Sequence, residues 1–238
     1  MNKLRILHLY PREMNLYGDH GNILALRRRC EWRGIQAEVI PCESGDPFPE
    51  DVDIIFGGGG QDSGQSRIEK DLLSRGEQIR TLIEEGTPAL VICGSYQLFG
   101  KGFHTLEGRF IEGIGVFPAE TTASAKRLVG NITIMSDEFG EITGFENHSG
   151  LTVLHGCPPL GTVVRGEGNN GKDRTEGARY RNCIGTYLHG PVLPKNPKLA
   201  DYLILTALLR KDPSIRALAA LEDGAENAAH ASAAGRPR

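Results

Sequence analysis

Several features that mark whole classes of protein are scarce or missing in this sequence. No apolar run comes near the roughly 20 residues that a membrane-spanning helix needs. The 27 Lys and Arg residues are balanced by 30 Asp and Glu, and the net charge of −3 gives no basic surface for nucleic acid. The five cysteines form no C-x-x-C pair, so neither a zinc ribbon nor a disulfide framework is indicated. These absences leave a globular protein, which we expect in a reducing, cytoplasmic compartment.

The length and composition fit one α/β domain with a modest extension. The chain has 238 residues, of which 39% are hydrophobic and 24% are charged. Residues 1–4 lead straight into an apolar strand, so no signal peptide is expected. We place the domain at residues 1–212 and an extension at 213–238. The alanine-rich part of the extension, from about residue 225, is expected to be disordered.

Strand and helix patterns alternate in the first half of the chain. Strands are predicted at residues 4–10, 36–40, 53–56 and 89–92, with helices at 22–33 and 68–85. This alternation predicts an α/β fold with a doubly wound, mostly parallel sheet. In the first helix, Arg27, Arg28 and Arg29 are expected on the exposed face. The second half is richer in strand patterns, and its glycine-rich, charged segment 166–177 predicts a mobile surface loop.

A cysteine stands at the end of the apolar strand 89–92, directly before a glycine. Residues 95–99 can start a helix, which would put Cys93 near a helix N-terminus, a location that favours the thiolate. Gly94 allows a sharp turn and lets a substrate carbonyl approach its N–H. Cys93 is therefore a candidate nucleophile. The alternative is a small, buried apolar side chain, which is a common role for a lone cysteine.

Four glycines follow the strand 53–56, in the segment GGGGQD at residues 57–62. Such a turn indicates that a ligand comes close to the backbone. A phosphate-binding loop is weakly supported, because G-K-[ST] and the spaced G-x-G-x-x-G are both missing. An oxyanion-binding loop is the other possibility. This loop and Cys93 both lie at carboxyl ends of strands, where doubly wound sheets place their sites.

A cysteine nucleophile needs a base, and one histidine has a comparable position. His189 follows the apolar segment 183–188 at a predicted strand end. His148, in a polar turn after Asn147, is its main rival. A structural histidine with satisfied hydrogen bonds is the alternative for either residue.

Four motifs, in this order and spacing, resemble those of the class I (triad) glutamine amidotransferases. They are GGGGQD at 57–62, CGSYQ at 93–97, NHSG at 147–150 and YLHGP at 187–191. The form CGSYQLFG resembles the cobyric-acid-synthase branch, and the likeness covers about residues 4–209. Within that branch the motifs are most similar to those of two-chain enzymes that amidate the D-glutamate of lipid II in peptidoglycan synthesis.

The resemblance implies a mechanism and roles for five residues. Cys93 attacks the side-chain amide of glutamine, and His189 activates it and protonates the departing ammonia. The N–H groups of Gly94 and Gly58 hold the oxyanion. Arg127 binds the α-carboxylate of glutamine, a task that suits its forked donors. A surface arginine beside a lysine is the alternative for Arg127, and the resemblance implies no metal in this chain.

One position departs from the family pattern. Many members carry a carboxylate two residues after the histidine, where this chain has Pro191. The chain therefore resembles a dyad whose orienting group is missing or supplied elsewhere. The resemblance implies a Mur-ligase-like partner subunit, MurT, which forms a heterodimer, binds ATP and magnesium, and supplies an acidic residue to this site. The isolated chain is then expected to be a poor glutaminase.

Two other functions stay open on the sequence. The glutaminase could serve a different two-chain synthetase, such as one with a cobyric-acid-type substrate. The chain could also be a non-catalytic binding protein that keeps the amidotransferase fold.

Overall fold

Strands and helices alternate through the first hundred residues, as their apolar patterns predict. The computed structural model describes residues 3–238, so residues 1 and 2, at which the sequence predicts no signal peptide, lie outside the described residues. The elements are β1 (Lys3–Leu9), α1 (His20–Glu31), β2 (Gln36–Cys42), β3 (Ile54–Gly57), α2 (Asp62–Glu84), β4 (Ala89–Ile92) and α3 (Gly94–Phe99). Strands β3 and β4 are buried along their whole length, as expected where helices cover both faces of a sheet.

The second half is richer in strands, which confirms the sequence prediction. Its strands are β5 (Gly102–His104), β6 (Phe110–Glu112), β7 (Ala119–Ser136), β8 (Gly140–Leu154), β9 (Gly161–Arg165), β10 (Thr175–Glu176), β11 (Ala178–Tyr180) and β12 (Cys183–Thr186). Its helices are α4 (Pro197–Lys211) and α5 (Gly224–Gly235). Among residues 3–238, no helix has both the length and the apolar character to cross a membrane.

Two six-stranded sheets organise these elements. The first has the order β11-β12-β4-β3-β1-β2, and all its neighbours are parallel except β11 and β12. The predicted doubly wound, mostly parallel sheet is therefore confirmed. The second sheet contains the long antiparallel pair β7 and β8. Since β1, β3, β4 and β12 run parallel, their carboxyl ends lie along one edge of the first sheet, and the segments that follow them meet there.

The glycine-rich segment 166–177 is a surface loop only at residues 171–174, because residues 168–170, 176 and 177 are buried. Asn169 and Glu176 have no exposed surface. The Asn169 amide donates to the Gly177 carbonyl at 2.9 Å and accepts the Gly177 N–H at 3.0 Å. Side-chain amide and carboxyl groups thus satisfy the backbone here. The low apolar content of the segment concealed this burial.

The tail also differs from the prediction, because residues 224–235 form helix α5 where disorder was expected. Alanine has the highest helix propensity, so the composition that suggested low complexity also favours a helix. The helix is anchored by hydrogen bonds: His230 Nδ1 lies 2.9 Å from the Lys195 carbonyl, and Arg165 donates to the Ala234 carbonyl at 2.6 Å. The division of the chain at residues 212 and 213 stays a prediction.

Arg29 corrects the prediction of an exposed arginine face on α1. Its side chain is only 3% exposed, and it forms ion pairs with Asp201 of α4 at 2.7 Å and with Asp223, just before α5, at 2.6 Å. Arg28, one residue away, is 60% exposed and pairs with Glu31 in its own helix. Arg29 therefore links three parts of the chain that are far apart in sequence.

Replacing Arg29 by alanine is expected to lower the free energy of unfolding by about 3 kcal/mol, because the partly buried Asp223 loses its arginine and Asp201 keeps only Arg33. Arg28→Ala is the matched control, and its exposed ion pair is expected to contribute about 0.5 kcal/mol or less. Urea unfolding of both variants measures the difference. Equal stabilities would show that the buried network contributes nothing beyond a surface ion pair.

Candidate active site

Cys93 occupies a strained turn between β4 and α3. Its backbone has φ 51° and ψ −106°, outside the regions that non-glycine residues usually adopt. Such strain costs on the order of 1–3 kcal/mol and is concentrated at functional sites. The N–H of Cys93 donates to the carbonyl of Thr186 at 2.8 Å, and the residue is 7% exposed. The structure therefore places the thiol at the carboxyl edge of the sheet, as the sequence predicts.

His189 reaches the same edge from β12, the strand beside β4. Its backbone forms two hydrogen bonds with Phe145 of β8, which ties the histidine to the second sheet. The imidazole has no exposed surface, and its Nδ1 lies 3.2 Å from both carboxylate oxygens of Asp19. Its Nε2 has no hydrogen-bond partner among the residues that the structure describes.

Asp19 places a carboxylate beside His189, whose orienting group the sequence left as missing or supplied elsewhere. It is fully buried at the end of the loop after β1, and besides His189 it accepts the N–H of Gly59 at 2.8 Å. Pro191 stands where the family pattern has an acid, and its ring packs against Gly21 in the first turn of α1. The carboxylate thus comes from the segment that leads into α1, so the position two residues after the histidine does not have to supply it.

The side chains of Cys93, His189 and Asp19 all pack against the glycine loop after β3, at Gly59. A Cβ on Gly59 would stand 2.7 Å from His189 Cε1, 3.1 Å from Asp19 Oδ2 and 3.4 Å from Cys93 Cβ. Only glycine leaves room for this arrangement. Gly59 is therefore part of the site, although the sequence singled out Gly58.

The charges around His189 favour its protonated form. Burial alone lowers the pKa of the imidazole, but the Cys93 thiolate and the Asp19 carboxylate outweigh it and raise the pKa to about 10. At neutral pH the imidazole beside the Cys93 side chain is therefore protonated. It can give its proton to the leaving group of a reaction at that sulfur.

A cavity of about 340 Å³ opens onto the thiol, and Arg127 lines it together with Cys93 and His148. The Arg127 guanidinium is held by Asn147: its Nη2 lies 2.8 Å from the Asn147 side-chain oxygen and 3.1 Å from its carbonyl. The structure thus brings Arg127 to the same cavity as the nucleophile and leaves the arginine exposed to a ligand. A cation that lines the same cavity as the thiol suits a substrate that carries a carboxylate.

The two predicted oxyanion donors, Gly58 and Gly94, both lie beside the Cys93 turn. The carbonyl of Gly58 accepts the Ser95 hydroxyl at 2.7 Å, which fastens the glycine loop to the start of α3. Gly94 packs against the backbone of Gly60, and Gly60 lines the cavity. The oxyanion role of Gly58 and Gly94 stays a prediction.

His148, the rival base, has a different environment. Its ring stacks on Tyr187 with centroids 3.6 Å apart, and its Nδ1 lies 2.7 Å from the carbonyl of Gly150. A carbonyl only accepts, so Nδ1 carries the proton. Burial lowers the pKa of His148 to about 3. A ring that is neutral and fixed in this way is a poor partner for a thiolate.

Three residues of the site were missed at the sequence level: Asp19, Gly59 and Asn147. Asp19 had a usable signal, because it ends the loop after β1, a parallel strand beside the glycine loop's own strand. Its long separation from His189 concealed the pairing. Gly59 and Asn147 stand inside recognised motifs, but which member of a motif faces the thiol depends on the backbone path.

Comparison with known proteins agrees with this geometry. A model of the CobB/CobQ-like glutamine amidotransferase domain matches residues 5–197. The lipid II isoglutaminyl synthase (glutamine-hydrolyzing) subunit GatD of Staphylococcus aureus is 44% identical over 212 residues, which are 89% of this chain and 87% of the relative. The same subunit of Streptococcus pneumoniae is 43% identical over 93% of this chain and 86% of the relative.

More distant relatives share only the fold or one region. A probable cobyric acid synthase of Methanothermobacter thermautotrophicus is 33% identical, over 76% of this chain but only 38% of its own length. A solved chain of PurLQS from Thermotoga maritima has a TM-score of 0.59 at 15% identity, and the match covers 86% of this chain and 98% of that one. The chain belongs to the CobB/CobQ-like glutamine amidotransferases, among the GatD-type glutamine-hydrolysing subunits.

Proposed function

We propose that this chain hydrolyses L-glutamine through Cys93 and supplies the ammonia to an ATP-dependent, Mur-ligase-like partner that amidates the D-glutamate of lipid II. The observation that carries the chemistry is the buried set of Cys93, His189 and Asp19 beside a cavity lined by Arg127. The acceptor substrate rests on the similarity to the two GatD subunits, whose names state it.

In the first half of the reaction, the Cys93 thiolate attacks the side-chain amide carbon of glutamine. Backbone N–H groups, for which Gly94 and Gly58 are our candidates, stabilise the oxyanion, and losing one such donor typically costs about 3–4 kcal/mol of barrier. The His189 imidazolium then gives its proton to the amide nitrogen. The carbon–nitrogen bond breaks, ammonia leaves, and a γ-glutamyl thioester remains on Cys93.

In the second half, the neutral His189 takes a proton from water, and the oxygen attacks the thioester carbon. The carbon–sulfur bond breaks and glutamate leaves. The thiolate and the imidazolium are restored. Asp19 holds the same ring nitrogen through both steps, so Nε2 faces the reacting atoms throughout.

Arg127→Ala is expected to raise KM for glutamine by about 100-fold with little change in kcat. A charge-assisted contact to a substrate carboxylate contributes about 2–5 kcal/mol when the pair is desolvated. Binding that is equal in the ground state and the transition state changes KM alone. Initial rates of glutamate release against glutamine concentration measure both constants.

Arg109→Ala is the matched control, because Arg109 is also exposed and pairs with Glu69 away from the cavity. An unchanged KM in Arg127→Ala would show that Arg127 is an ordinary surface arginine. A lower kcat at unchanged KM would instead place Arg127 in the chemical step.

The partner is proposed to bind ATP and magnesium, and we place the reaction on the cytoplasmic side. Because Asp19 already lies at Nδ1 of His189, a carboxylate from the partner is no longer needed to explain the site. Mixing the chain with a MurT-type subunit, ATP, glutamine and lipid II tests the acceptor. Glutamine-dependent amidation of lipid II supports the proposal. Amidation of only a cobyric-acid-type acceptor, with that synthetase, would favour the alternative glutaminase.

A further inference from the structure

A second buried carboxyl group lies behind the catalytic residues. Glu176, on the short strand β10, has no exposed surface. Its carboxyl accepts the backbone N–H of Tyr187 at 2.6 Å and the hydroxyl of Thr186 at 3.1 Å. These two residues mark the point where β12 ends and the chain turns toward His189.

The backbone after Thr186 needs hydrogen-bond acceptors for its N–H groups. After Thr186 the backbone leaves the sheet, and Tyr187 and Leu188 are completely buried, so their N–H groups have no strand ladder and no water. An unpaired buried N–H costs on the order of 1–3 kcal/mol. Glu176 accepts the first N–H, and the hydroxyl of Thr186 accepts the N–H of Leu188 at 3.1 Å.

Burying a carboxyl group to accept these hydrogen bonds costs free energy, because its charged form is desolvated. Burial raises the pKa of Glu176 to about 8, although the Tyr187 N–H and the Thr186 hydroxyl act in the opposite direction. Buried carboxyl groups of this kind are more frequent around active sites than elsewhere. Glu176 therefore calls for an explanation beyond packing.

Its contacts connect it to both reacting side chains. The carbonyl of Thr186 accepts the Cys93 N–H at 2.8 Å, and this bond holds the strained turn. Toward the C-terminus, Tyr187 and Leu188 connect Thr186 to His189, whose backbone forms hydrogen bonds with Phe145. A shift at Thr186 or Tyr187 would move the thiol and the imidazole relative to each other.

We propose that Glu176 is a positioning residue that sets the distance between Cys93 and His189 by holding residues 186 and 187. This inference rests on the proposed glutaminase function. It differs from the role of Asp19, which contacts the imidazole itself. Glu176 acts on the backbone that carries the two catalytic side chains.

The test compares Glu176→Leu, which removes the acceptor at similar volume, with Glu176→Gln, which keeps one side-chain oxygen for the Tyr187 N–H. We expect kcat to fall about 100-fold in the leucine variant, the size of effect that a small misplacement of reacting groups produces. KM is expected to stay within about twofold, because glutamine binding is not altered. The glutamine variant is expected to recover kcat to within about tenfold of the parent.

Asp53→Asn is the matched control for altering a buried carboxyl group. Asp53 is 7% exposed and accepts the N–H of Arg5 at 2.7 Å, but it lies at the opposite edge of the sheet. Its kcat is expected to equal that of the parent. The rate of Cys93 alkylation by iodoacetamide, followed on the Cys93 peptide, is a second measurement that needs no turnover, and it is expected to fall in Glu176→Leu only.

A folded Glu176→Leu variant with parental kcat and alkylation rate would overturn the inference. An equal loss of kcat in Asp53→Asn would also overturn it. If Glu176→Leu does not fold, Thr186→Val removes the hydroxyl that Glu176 contacts, and an unchanged kcat there would contradict the proposal. A parent protein without glutaminase activity would instead refute the proposed function, while the alkylation rates would still decide the role of Glu176.

Discussion

Cys93→Ala is expected to abolish glutamate release, with a loss on the order of 10⁶-fold in kcat, as for other enzymes that lose their nucleophile. Among the described residues, Cys93 is the only thiol that lines the cavity. The fold is expected to survive, because the side chain is small and alanine tolerates the strained backbone no worse than cysteine. Glutamate release by the purified variant, together with its thermal unfolding, measures both.

Cys157→Ala is the matched control, because Cys157 is a free, half-buried thiol that does not line the cavity. It is expected to keep the parental rate. Glutamate release by Cys93→Ala at the parental rate would exclude Cys93 as the nucleophile, and the CobB/CobQ-like fold would then serve another purpose in this chain.

Asp19→Asn is expected to lower kcat by about 10³–10⁴-fold, as amide replacement of the orienting carboxylate does in other triads. The amide can present its N–H to Nδ1 and select the wrong tautomer of His189. The change also removes a negative charge that raises the pKa of His189, so this pKa falls. The imidazolium then loses its proton at lower pH, and the alkaline limb of the kcat profile is expected to move to lower pH.

Asp51→Asn, at a carboxylate whose side chain is 84% exposed, is the control for a change of net charge and should behave like the parent. The assay is made with and without the MurT-type partner. If Asp19→Asn keeps the parental kcat in both, the orienting carboxylate comes from elsewhere. If activity returns only with the partner, the partner supplies it, as the sequence pattern first indicated.

The parts of the fold that could be predicted from sequence are those with local signals. The run of four apolar residues before Cys93 predicts β4 with its observed bounds, and the cysteine–glycine pair predicts the turn. The alternation of strands and helices is enough to place the glycine loop and Cys93 at the same sheet edge. His189 was found in the same way, as a residue at a strand end.

The parts that were missed depend on contacts between distant segments. Asp19 and His189 are 170 positions apart, and nothing in the loop before α1 indicates that its aspartate is buried. Arg29 looks like its exposed neighbours until α4 and α5 supply carboxylates. Glu176 lies in a segment whose glycines and charges suggest a surface. In each case a polar side chain is buried because a distant partner satisfies it, and local patterns carry no signal for that.

The most direct test of the account is to mix the protein with glutamine, stop the reaction with acid within the first turnovers, and determine the mass of its peptides. The account predicts a γ-glutamyl group on the peptide that contains Cys93, formed as ammonia is released and lost as glutamate appears. Steady glutamate release with the γ-glutamyl group on another residue would contradict the account. Glutamate release without any adduct, in a variant whose thioester hydrolysis is slowed, would contradict it as well.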